Sequence, residues 1–222
     1  MFSLRQRVIR PELMDDAPEP DALQSLRDLE RINTRLGGHG VLQKILATVV
    51  QPDDQFSLLD VGAATSTAAT VIRSGYPGAG VVSLDRDFFH LASGRGLRVC
   101  GDGFRLPFRS RAVDFVFCSL FLHHFTDERI VDLMRESARV ARRAVLINDL
   151  ERRLLPYWFL PATRPLFGWH PITVHDGVIS VAAGFRRGEL LQLAKQAGLD
   201  QVRERVHRPS FRISLVAQVA ES

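Results

Sequence analysis

Apolar runs that end in an acid or a glycine set the rhythm of this chain. The run Phe56-Ser-Leu-Leu-Asp-Val-Gly62 predicts a buried strand closing at Asp60, a tight turn at Gly62, and a helix over Thr67 to Arg73. Gly80 to Asp85 repeats the form, an apolar strand ending in an acid, followed by Arg86-Asp87 and a short helix. A third short strand is predicted at Leu97 to Cys100, a fourth at Val113 to Ser119 and a fifth at Ala144 to Asp149. Between the last two, Asp127 is expected to cap an amphipathic helix carrying Ile130, Leu133, Met134 and Ala138. Strands alternating with helices at this spacing predict an α/β fold with a parallel sheet and helices on both faces.

The flanking segments follow other patterns. Residues 1–20 are charged and proline-punctuated and are expected to form an arm lying on the domain, outside its core. Leu23, Leu26, Leu29 and Ile32 share a face of a helix from Asp21 to Leu36, which Gly37-Gly38 stops. A second helix follows through Val41, Leu42, Ile45 and Val49. Residues 1–50 are thus read as an arm with cap helices, and 51–222 as the main domain. Residues 150–182 break the rhythm of that domain. They are rich in proline and large apolar residues, Tyr157, Trp158, Phe159, Phe167 and Trp169 among them, and are read as an insertion over the strand ends that forms a hydrophobic lid, or else packs in the core or touches a membrane. A helix at Arg187 to Ala197 and two strands, Val202 to His207 and Phe211 to Val219, close the chain as a hairpin.

Composition narrows the class. At 222 residues with 45% hydrophobic and 24% charged content, the chain can bury one sizeable core. The net charge is +4, but the basic residues are nearly all arginines scattered among acids, which argues against nucleic acid as a partner. Cys100 and Cys118 lie in apolar strand-like runs, so both are expected to be buried, reduced thiols rather than a disulfide or a metal site. No run is long enough to span a membrane, and the N-terminus lacks the apolar core of a signal peptide. These absences predict a cytoplasmic protein without stable membrane insertion, either monomeric or a homodimer.

Acids at the ends of successive parallel strands suit a nucleoside lying across those ends. Asp85 is placed to accept hydrogen bonds from both ribose hydroxyls, and Asp102, one strand further out, from an adenine amino group. Arg31 and Arg35 are read either as a solvated helix face or as a cap over a cofactor carboxylate.

On these residues the chain resembles the class I S-adenosyl-L-methionine-dependent methyltransferases, of the bacterial small-molecule type. Leu58-Leu-Asp-Val-Gly62 looks like the family's first motif, Gly101-Asp-Gly103 with Leu106-Pro-Phe108 its adenine-side loop, and Asp114 to Ser119 with Leu122-His-His-Phe125 its fourth motif. Within the family, Arg10-Pro-Glu-Leu-Met-Asp-Asp16, Leu29-Glu-Arg-Ile-Asn33 and Thr173-Val-His-Asp-Gly177 look like a bacterial subgroup. The resemblance implies a Rossmann-like, mostly parallel seven-stranded sheet ending in an antiparallel hairpin. It also implies S-adenosyl-L-methionine as cofactor, S-adenosyl-L-homocysteine as product, and a small apolar or aromatic acceptor. Cofactor contacts are then expected at Asp60, Gly62, Ala63, Ala64, Asp85, Arg86, Asp102, Gly103 and Ser119.

Methyl transfer from a sulfonium needs proximity, alignment and a deprotonated acceptor, and no metal. His123, His124 and His175 are the candidates to remove the acceptor's proton, and Asp149 or Asp176 could serve for a carbon acceptor. The chain departs from the family where glycines are usual, at Ala64 and Ser66. A Cβ there removes easy access to φ > 0, although Ser66 could cap the following helix. A second reading rests on that departure, a non-catalytic scaffold of methyltransferase shape that binds a partner or effector.

Overall fold

A computed structural model describes residues 4–92 and 94–220. Among them the first strand, β1 (Phe56–Val61), is apolar apart from Ser57 and Asp60 and almost wholly buried. That is what a strand covered by helices on both sides requires. Two helices precede it, α1 (Glu19–Arg35) and α2 (Gly38–Leu46), and α3 (Thr67–Gly75) follows it. Then come β2 (Ala79–Asp85), α4 (Phe88–Ala92), β3 (Leu97–Cys100), β4 (Val113–Ser119), α5 (Asp127–Val140) and β5 (Ala141–Leu150). Two further helices, α6 (Leu154–Phe167) and α7 (Pro171–Ala183), lead to α8 (Glu189–Gln196), β6 (Val202–His207) and β7 (Arg212–Gln218). The seven strands lie in the order β3-β2-β1-β4-β5-β7-β6. The first five run parallel, and β7 enters antiparallel between β5 and β6.

The core is double. On one face Leu59, Val61, Val116 and Ile147 pack with Ile130, Leu133 and Met134 of α5 and Leu190 and Leu193 of α8. On the other, Leu58, Phe115, Phe117 and Leu146 pack with Val41, Ile45 and Leu46 of α2 and Ala69 and Ile72 of α3. Alternate residues of β1 and β4 divide between the two clusters, as side chains of a strand must.

Three expectations need correction. Thr126, not Asp127, is the N-cap of α5, and its side chain accepts from the Arg129 amide. Asp127 begins the helix instead, where its charge suits the positive end of the dipole. Cys118 is buried but Cys100 is exposed, because β3 is an edge strand with mostly exposed residues. The arm is not wholly superficial either, since Leu4 is buried in a third small cluster with Tyr157, Val181 and Ala182. The residues expected to form an aromatic lid are the helix pair α6 and α7, turned at Gly168, whose φ of 66° ends α6.

The arm is tied down along its length by distant partners. Arg152, 1% exposed, donates to the carbonyls of Leu4, Arg5 and Gly184 and pairs with Glu189. The Val8 amide donates to the Ala182 carbonyl, and the Asp176 carboxylate accepts from the amides of Leu13 and Met14. Arg7 donates to the carbonyls of Ala183 and Phe125, pairs with Asp127 and stacks over Phe185.

Candidate functional site

Chain order reverses between β1 and β4, since β2 and β3 lie to one side of β1 and β4 and β5 to the other. In open α/β sheets a crevice forms there outside the carboxyl ends of the strands, and ligands bind in it. Register aligns those ends, with Val61 opposite both Leu84 and Cys118, Asp85 opposite Cys100, and Ser119 opposite Asn148. The loops at 62–66, 85–87, 101–104 and 119–126 therefore share one edge.

The loop after β1 is strained. Gly62 takes φ 72°, and Ala64 and Ser66 take 42° and 59° although each carries a Cβ. Leu120, just past β4, has φ 52°. Three of the five non-glycine residues with positive φ among the described residues thus stand at this crevice, where such strain is typically concentrated. The loop keeps the backbone shape that glycines usually permit, and the departure at Ala64 and Ser66 does not unmake it. Hydrogen bonds hold it there. The amides of Gly62 and Ala63 donate to the Leu84 carbonyl, and the Ala64 amide to Asp85 Oδ2 at 2.8 Å. Asp85 Oδ1 accepts from the Asp87 amide at 2.9 Å. Asp85 therefore shapes both loops while its remaining lone pairs stay available to a ligand. Ser66 is the N-cap residue of α3 but makes no side-chain cap bond; its buried hydroxyl has no partner. A Cβ on Gly94 would stand 2.6 Å from that hydroxyl, so the segment at 94 covers it.

The other expected cofactor contacts divide. Asp60 is 2% exposed, its Oδ2 has no partner, and burial followed by the nearby Asp85 charge pushes its carboxyl up to about 7. Gly103 is buried, whereas Asp102 is exposed and accepts from the Phe104 amide in a local turn. Arg86 is exposed, and its carbonyl accepts from the Cys100 thiol. The Ser119 hydroxyl accepts from the Asn148 amide group at 3.1 Å. Arg31 is bound elsewhere, to Asp28 and over the Trp169 ring, and Arg35 is solvated. Neither caps a cofactor.

Phe121 occupies the crevice itself. A Cβ at Gly62 would lie 2.4 Å from its ring, and one at Gly103 would lie 3.6 Å away. The ring thus bridges the two glycines. An S-adenosyl-L-methionine molecule fits the polar groups here, with a buried carboxyl oxygen lacking a partner and an acid after β2.

Beside the crevice lies a charged cluster. His123 Nδ1 is 2.7 Å from Asp149 Oδ1, and Asp149 Oδ2 accepts from the amides of Leu122 and His123. His123 Nε2 points toward Glu12 of the arm, 3.9 Å from its Oε1, and the His123 and His124 rings lie 4.3 Å apart. Burial alone would lower the His123 pKa; the carboxylates of Asp149 and Glu12 overcome it and raise it to about 9. Burial would raise Glu12 and Asp149, but the two imidazoles hold both below their ordinary range. Partial burial and the neighbouring His123 charge lower His124. At neutral pH, then, His123 is a cation between two carboxylates and His124 is neutral. Glu12, His123 and His124 offer ligand atoms within 4.8 Å of one another, enough to enclose a divalent ion, but the positive charge between the carboxylates is already that of the His123 imidazolium.

Of the three expected histidines, the fold brings two together. His175 sits on α7 with its side chain half exposed and bonded to Asp176. Asp176 anchors the arm, and Asp149 is fully engaged with His123 and the loop amides. Glu12 and Arg7 are the residues that sequence reasoning missed. The stretch Arg10 to Asp16 marked the place, yet nothing in it tells that Glu12 meets a histidine 111 positions away.

Comparison with known proteins agrees with this architecture. The methyltransferase-domain family matches residues 59–147. No match is found among curated proteins. Human N-acetylserotonin methyltransferase, solved with S-adenosylmethionine, superimposes with a TM-score of 0.66 at 15% identity, over 90% of this chain and 57% of that one. Magnesium protoporphyrin IX methyltransferase of Synechocystis PCC 6803, with bound S-adenosylhomocysteine, gives 0.56 at 14% identity, over 84% of each chain. A Nostoc punctiforme PCC 73102 protein described as an O-methyltransferase gives 0.56 at 17% identity, over 81% of this chain and 56% of that one. The chain thus spans little more than half the length of the Nostoc and human proteins.

Proposed function

We propose that this chain, whose residues 59–147 belong to the methyltransferase-domain family and whose sheet has the class I methyltransferase fold, methylates a small apolar or aromatic molecule through an acidic O–H. S-adenosyl-L-methionine, when bound, supplies a methyl group on a sulfonium. Asp85 holds the ribose hydroxyls, and Asp60 offers its unpartnered oxygen beside the loop at Gly62. The acceptor lies between the 120–126 loop, the arm and the α6–α7 pair.

The observation that carries the reading is the cluster of Glu12, His123, His124 and Asp149 at the edge of the crevice. His123 is fixed in place and charge by its two carboxylates, so it has no room for another proton at neutral pH. His124, neutral there, takes the acceptor's proton. Glu12 then faces the new imidazolium and stabilises it. Two structural neighbours that are methyltransferases of N-acetylserotonin and of magnesium protoporphyrin IX support a small-molecule acceptor.

Calorimetry with S-adenosyl-L-methionine and its demethylated product tests the reading before any acceptor is known. Micromolar binding is expected, and no heat at millimolar cofactor sinks it. With an acceptor in hand, His124→Ala lowers kcat by about 10²- to 10⁴-fold while cofactor affinity changes little.

A further inference from the structure

Among the described residues, α6 carries four of the large apolar side chains most exposed to solvent. Leu154, Leu155, Trp158 and Leu166 are 63%, 63%, 59% and 78% exposed. They recur at spacings of one, three and eight residues, which with the exposed Ala162 makes a single stripe along a helix about 21 Å long. The opposite face is fixed. Tyr157 and Leu160 are buried, and Leu160 presses so closely on α7 that a Cβ at Gly177 would meet it at 2.2 Å. The helix therefore cannot roll its outer stripe inward without leaving its seat.

Charge says what the stripe fits. No acid occurs from Arg152 to His175, and Arg153 and Arg164 are exposed near the two ends of the helix. Arg153 pairs with Glu151, and Arg31 of α1, paired with Asp28, adds a third guanidinium at the C-terminal end, where it reaches the Phe167 carbonyl. Leucines around a tryptophan, with exposed arginine near both ends of the helix and no acid within it, form the pattern of a helix that lies in a lipid headgroup layer. From these observations we infer that the outer face of α6 docks on an anionic lipid surface, peripherally. No described helix is long and apolar enough to cross a membrane, and none is needed for this contact. The inference does not depend on methyl transfer.

Flotation of the intact protein with vesicles tests it, comparing phosphatidylglycerol-containing with pure phosphatidylcholine vesicles. Binding to the anionic vesicles, weakened by salt, is expected. In a Trp169→Phe background the emission of Trp158 shifts to the blue on binding. The Leu155→Glu/Leu166→Glu variant, altered only at exposed positions, keeps its circular dichroism and thermal midpoint and loses vesicle binding at least about tenfold. Three results overturn the inference: no binding at millimolar lipid, binding unchanged in that variant, or a wild-type dimer that the variant converts to monomer. The last assigns the stripe to a second copy of the chain.

Discussion

His123 and Asp149 face each other at 2.7 Å in the interior, one the last charged imidazole of a strand-end loop, the other the buried carboxylate of the neighbouring strand. With the folded pKa of His123 near 9 against 6.5 ordinarily, the stabilisation it brings is fully present below pH 6.5 and lost as pH rises through 9. At about 1.4 kcal/mol per pH unit, that is about 3 kcal/mol. Urea denaturation of wild type and His123→Gln at pH 6 and pH 10 is expected to show a gap that closes at the higher pH. A gap of equal size at both rules out a charged pair.

Asp60 carries the opposite sign. The folded chain holds its proton up to about pH 7, whereas the unfolded chain loses it near 3.8. Stability therefore falls as pH rises from about 4 to 7, by about 4 kcal/mol at most, and stays lower above. Asp60→Asn keeps the shape and removes the charge. It is expected to be more stable than wild type at pH 8, by about 2 to 4 kcal/mol, and equal to it near pH 4.

The ring of Phe121 stands where the missing Cβ of Gly62 leaves room, so a ligand in the crevice must displace it. Displacement sacrifices its edge contact with Phe125, 4.9 Å away between centroids. Such a pair is worth about 0.5 to 1.5 kcal/mol. Phe121→Ala removes that cost and tightens cofactor binding about two- to tenfold by calorimetry. Weaker binding shows instead that the ring stacks on the bound ligand.

Asp85→Ala deletes an acceptor that serves the amides of Ala64 and Asp87 and, in the proposed function, a ribose. Cofactor affinity is expected to fall by one to two decades, about 1.5 to 3 kcal/mol for a charged hydrogen bond. The thermal midpoint drops by a few degrees because both loops loosen. An unchanged affinity removes Asp85 from the site.

A hollow of about 50 Å³ between Val8 and Arg10 of the arm and Tyr157, Val178 and Ala182 admits a water or two, not a metabolite. An acceptor that enters there, as the proposed function has it, requires α6 and α7 to move. Amides of Tyr157 to Phe167 are expected to exchange hydrogen faster than those of Ala144 to Asp149 in the free protein, and to slow with S-adenosyl-L-homocysteine plus an aromatic compound. Equal protection without ligand makes the segment core.

Strands were legible because each carries its own signal, an apolar run with a polar end. Val202 to His207 keeps its bounds, Ala144 to Asp149 lengthens at both ends, and the hairpin lies where it was read. The crevice acids were legible for the same reason. Glu12 was not, because its meaning comes from Asp176 and Arg152 anchoring the arm, contacts between residues with no periodic relation. Nor was α6, since Pro161 and Pro165 suggest a broken segment. Each proline removes one amide, and the inward packing of Tyr157 and Leu160 outweighs the loss. Cys100 misled because burial of a short edge strand depends on what lies beyond it.

The arginine that anchors the arm has a consequence for the order of assembly. Arg152 is 148 positions from Leu4, and its acid partner Glu189 lies further on still. The partners of the arm are spread from Phe125 to Glu189, so its last ties wait until α7 and the start of α8 are in place. Glu12 therefore reaches His123 only when the arm is seated. Long-range contacts of this kind form slowly. The Glu12–His123 pair thus depends on the seating of the arm, so a partly folded copy with the arm loose leaves His123 without the carboxylate that faces it.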